Sequence, residues 1–155
     1  MTQEIEQLVG DKQGRRYQMK GDYDDESGLL VVKLQYQNNE VGRLQCVVDP
    51  PGEMKISDLI ISNDDDDVVE IPRWRKVFKL KPRNYRNKGL GTYLLKFALD
   101  FARQKGMTHI YGCLTHKDIA TTPGLINWYK KHGFELESPA PKDPSTTAHR
   151  ISQQL

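Results

Sequence analysis

The segment Arg86-Asn87-Lys88-Gly89-Leu90-Gly91 stands between an extended stretch and the most regular helical pattern of the chain. Two glycines let a backbone approach a ligand closely, and a helix start offers unpaired N–H groups and the positive end of a dipole. Arg86 and Lys88 add cations, so a pyrophosphate would meet backbone donors and charge together. A plain glycine turn with solubilising lysines is the competing reading, and a lone Gly-x-Gly would not displace it. The segment has no Gly-Lys-Ser/Thr as a P-loop requires and no third glycine at the dinucleotide-fold spacing. His109, His116 and His132 are tied to no partner by sequence and read as surface or strand residues. Cys46 and Cys113 lie in apolar runs without metal-ligand spacing, which suits reduced thiols and no metal.

The elements that must carry this loop follow from periodicity. Leu90, Tyr93, Leu94, Phe97, Ala98, Phe101 and Ala102 recur at three-and-four spacing, which predicts a helix over 89–105 stopped by Gly106. Upstream, Arg16 to Met19, Gly28 to Tyr36, Val41 to Val48 and Met54 to Ser62 read as strands, separated by turn signals at 37–40 and 49–52. Connections this short make an antiparallel meander. Downstream, Thr108 to Leu114 reads as a strand. A second helix is expected with Thr121 or Thr122 as cap and Pro123 at its first position, ending at Gly133. Phe134 to Leu136 begins another strand, 138–147 is a Pro-rich loop, and His149 to Leu155 reads as a last edge strand. The sum is an α+β, or mixed α/β, sheet in a single domain over 1–155.

Composition agrees with that class. The chain has 155 residues, and its 37% hydrophobic and 28% charged content is enough apolar material for a core and too much for a disordered chain. No run approaches a membrane span, and the start lacks the pattern of a signal peptide, which points to the cytoplasm. The net charge of +2 conceals a separation, because the acidic run Asp64 to Asp67 is followed from Ile71 to Leu99 by basic residues with no Asp or Glu. Such a segment attracts a polyanion, either nucleic acid or a phosphate-rich cofactor.

With these elements placed, the sequence resembles the GNAT superfamily of N-acetyltransferases, in a compact bacterial form. The family's pyrophosphate signature, Arg/Gln-x-x-Gly-x-Gly/Ala opening a helix, is met at every fixed position by Arg86 to Gly91. The family's Tyr-x-x-x-Gly-Phe is met by Tyr129-Lys130-Lys131-His132-Gly133-Phe134. The resemblance covers about residues 41 to 136. It implies a central, mainly antiparallel sheet of six to seven strands, with two splayed parallel strands, Lys55 to Ser62 and Thr108 to Leu114, forming the cofactor cleft. No long helical pair stands between the first strands, where the family often has one.

The same resemblance implies acetyl-CoA as co-substrate, held by Arg86, Asn87, Lys88, Gly89, Leu90, Gly91 and Thr92, with Ile60 and Ile61 as backbone partners. A competing register puts the cofactor strand at Val77 to Lys81; in the favoured one, 63–85 is an insertion. Tyr129 is assigned as the acid that protonates the leaving thiolate, against the alternative that an aromatic spaced with Leu125 and Ile126 is simply core. Asp58 is the best-placed base, with a water relay as the other solution. Thr122 stands where the family often has Asn. The acceptor is an amine, of a small molecule or a protein; Asp64 to Asp67 could receive its cation, and Trp74 could stack on adenine. A homodimer through edge strands fits as well. A silent CoA-binding regulatory domain is the second function. A nucleic-acid module using Arg73 to Lys88 is the third and weakest, since it explains only the charge.

Overall fold

The computed structural model describes residues 2–49, 51–61 and 89–155. Its centre is an eight-stranded sheet. Five strands, β1 (Thr2–Gly10), β2 (Arg16–Asp24), β3 (Leu29–Tyr36), β4 (Asn39–Asp49) and β5 (Glu53–Ile61), run as the expected antiparallel meander. They are followed by α1 (Leu90–Gln104), β6 (His109–Thr115), α2 (His116–Thr121), α3 (Leu125–Lys131), β7 (Glu135–Glu137) and β8 (Thr147–Gln154). The spatial order is β1-β2-β3-β4-β5-β6-β8-β7, and β5 with β6 is the parallel pair.

Hairpin chemistry fixes the meander. Asp11 closes the β1–β2 turn: its carboxylate accepts from the Gln13 and Arg15 backbone N–H groups (2.8 and 2.9 Å) and from the Tyr17 hydroxyl (2.6 Å). Gln37 and Asn38 both have positive φ (50° and 68°), the conformation of a two-residue turn whose twist matches the flanking strands.

One face of the sheet is the core. Leu30, Val32, Leu34, Leu44, Cys46, Met54 and Ile110 are fully buried there, and α1 lays Leu90, Leu94, Leu95, Ala98, Phe101 and Ala102 onto them. At about 25 cal/mol per Å² of apolar surface, each of these larger side chains contributes roughly 1.5–3 kcal/mol. The opposite face carries half-buried residues such as Lys20, Lys33 and Gln45.

Three boundaries differ from the sequence reading. The N-terminal piece is a full strand, β1, whose inward positions alternate Ile5 and Val9 with Gln3 and Gln7 and so carry a weak signal. The second helix does not start from Thr121 or Thr122 with Pro123 at its first position. Thr115 and Asp118 form a capping box that nucleates α2 first (Thr115 Oγ1 accepts from Asp118 N at 3.0 Å, Asp118 Oδ2 from Thr115 N at 2.9 Å). Thr122, held extended before the proline, ends α2 (φ −122°, ψ 87°), and Gly124 at φ 81° caps α3. Finally, β8 is not an edge strand, because the short β7 pairs on its outer side and Ile151 is buried between Gly112 and Leu136.

The Pro-rich loop is pinned down. Asp143, its side chain 2% exposed, accepts from the Ala140 N–H and pairs with Arg150 at 2.9 Å. Lys142 reaches Asp49 and Glu53 (2.9 and 3.2 Å), and Arg150 stacks 3.9 Å from the Tyr111 ring centroid.

Candidate cofactor cleft and active site

The geometry begins with a bulge. Across β4 and β5, Gln45 faces Asp58 while Cys46 faces Ile56, so Ser57 is an extra residue without a cross-strand partner. A bulge advances the side-chain alternation by one position. Before it, Met54 and Ile56 point into the core; after it, Leu59 and Ile61 take the inward positions. Asp58 and Ile60 are thereby turned to the opposite face, where they line a cleft of about 340 Å³ with Glu40, Gly42 and Arg43. Without the bulge, regular alternation from Met54 and Ile56 would aim the Asp58 carboxylate at the core.

At the same point the sheet opens. The β5–β6 ladder holds four pairs, Glu53–His109 to Ile56–Gly112, and both strands then run on, β5 to Ile61 and β6 to Thr115. This is the splayed parallel pair expected of Lys55 to Ser62 and Thr108 to Leu114.

The start of α1 stands on the core face of this opening. Gly89 is left-handed (φ 83°), a conformation that costs a side-chain-bearing residue about 1–2 kcal/mol. Gly89 at the cap position has no side chain to offer, none among the described residues caps the helix, and its first turn carries no acidic residue, which suits its leading N–H groups to an anion. At Gly91 an added Cβ would lie 3.4 Å from Trp128 Cζ2 and 3.9 Å from Ile61 Cγ1, so the helix start, α3 and the end of β5 meet there.

Tyr129 projects from α3 into the core and is 4% exposed. Its ring packs edge-on against Trp128 (4.9 Å between centroids) and Phe134 (5.4 Å). Its hydroxyl makes no hydrogen bond to another described residue. Burial first, then electrostatic interaction with Cys46, Asp118 and Asp58, pushes the phenol well above its ordinary range. Asp58 lies on the opposite face of the sheet from the core into which Tyr129 packs.

His132, read from sequence as a surface residue, is part of this neighbourhood. Its Nδ1–H donates to the Trp128 carbonyl at 2.7 Å, and Nε2 lies 3.3 Å from Thr92 Oγ1 in the first turn of α1. The sequence signal was its spacing of four from Trp128 on one helix, which predicts contact within the helix but nothing about Thr92.

Of the expected site residues, Asp58, Ile60, Ile61, Gly89, Leu90, Gly91, Thr92 and Tyr129 gather around the opening. Leu90 is buried under the helix, so only its backbone can face a ligand. Arg86, Asn87 and Lys88 lie outside the described residues, as do Asp64 to Asp67, Trp74, the Val77 to Lys81 register and most of the basic segment. The strand that pairs with both β4 and β6 is Glu53–Ile61. Cys46 is buried and Cys113 half-buried, and neither is in a disulfide. Among the described residues no three His, Cys, Asp or Glu side chains cluster as a metal site, and no helix is long and apolar enough to cross a membrane.

A meander, a bulged strand parting from its parallel partner and a glycine-led helix at the opening make up the architecture of the site. Residues 3–134 match the model of the acetyltransferase (GNAT) family, and the chain belongs to that family. Solved structures agree on the fold. The chain is similar to an acetyltransferase of the GNAT family from Staphylococcus aureus (TM-score 0.60, 14% identity, 83% of this chain and 69% of that one). It is also similar to an acetyltransferase from Streptococcus agalactiae (TM-score 0.60, 14% identity, 86% and 71%). A third similar structure is the PaiA N-acetyltransferase from Thermoplasma acidophilum in complex with coenzyme A (TM-score 0.56, 13% identity); 83% of this chain aligns with it, spanning 62% of that protein's length. No curated protein matches the sequence.

Proposed function

We propose that this protein, as a single domain, transfers the acetyl group of acetyl-CoA to an amine. The observation that carries the reading is the meeting, beyond the end of the β5–β6 ladder, of a glycine-led helix start with Ile61 and with Trp128, the ring neighbour of the buried Tyr129.

The residues fit the donor. Gly89, Leu90, Gly91 and Thr92 present backbone N–H groups for a pyrophosphate, and Arg86, Asn87 and Lys88 precede them in the sequence with two cations. Ile60 and Ile61 lie on β5 beyond the end of the ladder, where a strand edge can pair with the pantetheine amides. The thioester supplies an activated acyl carbon.

Three groups of this chain then divide the work. The β5 backbone after the bulge polarises the carbonyl by N–H donation. Asp58, directly or through water, takes the proton that the amine loses on forming the C–N bond. Tyr129 gives its proton to the sulfur as the C–S bond breaks. Its upward-shifted phenol is protonated throughout the neutral range, as an acid requires. Base and acid on opposite faces let the amine enter from the cleft of Asp58 and Ile60 while the thiol leaves on the core side.

The test is titration of the purified protein with CoA beside the variant Gly89→Asp, Gly91→Asp, with thermal unfolding as the fold control. Micromolar binding lost in a folded variant supports the seat; no binding by the intact protein would sink the reading and return the basic segment to a polyanion role. Binding without turnover over a broad amine screen would favour a CoA-binding regulatory domain.

A further inference from the structure

We propose that His132 is a positioning residue for the pyrophosphate seat, acting through the Thr92 hydroxyl. The inference rests on the acetyl-CoA reading above and adds to it a residue outside the two family motifs' fixed positions.

The chemistry of the partners fixes the direction of one bond, and the tautomer it selects gives the other. A backbone carbonyl can only accept, so the 2.7 Å contact to Trp128 O requires the proton on Nδ1. In the neutral ring Nε2 is then an acceptor, and the Thr92 hydroxyl donates to it across 3.3 Å. The ring is further held against Trp128, with centroids 4.7 Å apart. Trp128 in turn abuts Gly91 and Ile61. His132 therefore ties the last turn of α3 to the third residue of α1, while its stacking partner closes on the second.

That tie acts where regular structure cannot. Gly89 and Gly91 make the start of α1 permissive, and among the described residues no side chain caps it. Fixing Thr92 sets the direction of the leading N–H groups that would hold a pyrophosphate. It also ties that seat to the helix carrying Tyr129, so phosphate grip and thiolate-side acid keep one spacing. A preformed seat costs less ordering on binding.

The experiment measures CoA affinity by calorimetry for the intact protein, His132→Ala, Thr92→Val and the double variant. A single hydrogen bond of this kind contributes enough that each single variant should bind CoA about 3- to 10-fold more weakly. The double variant should be no weaker than the worse single, since both remove one contact. Pantetheine, which lacks the pyrophosphate, should displace CoA with the same inhibition constant from all four. Unchanged CoA affinity in Thr92→Val, additive losses in the double variant, or an equal loss of pantetheine affinity would overturn the proposal. If His132→Ala does not fold, Thr92→Val carries the test alone. An intact protein that binds no CoA overturns the acetyl-transfer reading instead, which keeps the two failures distinct.

Discussion

At the scale of single residues, the site depends on side chains whose types are ordinary and whose surroundings are not. Tyr129 is an aromatic on a helix, and nothing in its spacing with Leu125 and Ile126 separates an acid from a core residue. What sets it apart, in the role proposed for it, is a buried hydroxyl with no hydrogen-bond partner among the described residues. Replacing it by Phe keeps the packing against Trp128 and Phe134 and removes only the proton. The expected result is a turnover lower by about 10²-fold or more with CoA affinity within twofold, read from steady-state kinetics beside calorimetry. The sign of the pH dependence follows from the upward shift. An acid with a raised value stays protonated as pH climbs, so no loss assignable to Tyr129 should occur below pH ~10, the ordinary phenol value. A decline centred near neutrality would have to come from another group. Asp58 was legible as a carboxylate on the strand that parts from β6. Its orientation was not, because it depends on the extra residue Ser57, and a bulge leaves no mark in a pattern of apolar residues.

At the scale of elements, the strands and α1 were readable because period-two and three-and-four patterns report burial directly. What escaped was set by local polar chemistry: the capping box that creates α2, and the glycine that replaces Thr122 as the cap of α3. β1 escaped for the opposite reason, since half of its inward positions are glutamine. Its attachment depends on the Asp11 turn. Burial pushes the Asp11 carboxyl up, but the hydrogen bonds from Tyr17, Arg15 and Gln13 and the Arg15 charge prevail and hold it below its ordinary value. A depressed carboxylate stabilises the fold above its unfolded value and loses that contribution as pH falls through the folded one. Asp11→Asn should therefore cost about 1–3 kcal/mol at neutral pH, measured by urea unfolding, and the difference from the intact protein should shrink on acidification below pH ~4. Affinity for CoA should not change, because the turn is at the far side of the sheet from β6. A parallel loss of CoA binding would show that β1 shapes the cleft.

At the scale of the whole molecule, the sheet is two antiparallel groups joined edge to edge. Strands β1 to β5 form one and β6, β8 and β7 the other, with four parallel pairs and the packing of α1 between them. A ligand seated in the opening would touch both groups, and ligand binding to the native state alone stabilises it by mass action. At one hundred times its dissociation constant, CoA should add about 2.7 kcal/mol to the unfolding free energy, seen as a concentration-dependent rise in the thermal midpoint. Hydrogen exchange should localise the gain to β5, β6 and α1. A midpoint indifferent to CoA would count against the cleft as the binding place.

The four-pair joint also orders events in time. Among themselves, strands β1 to β5 pair only as sequence neighbours, so hairpins of this half can close as soon as the chain is available. Glu53 meets His109 only after more than fifty further positions have been made, and closure over such a distance is slow relative to hairpin formation. During synthesis the first half would therefore wait with Leu30, Val32 and Leu44 uncovered and the free edge of β5 exposed, until α1 arrives to cover the one and β6 to pair with the other. The narrow seam that opens the sheet to a cofactor is for that interval its point of greatest exposure to aggregation.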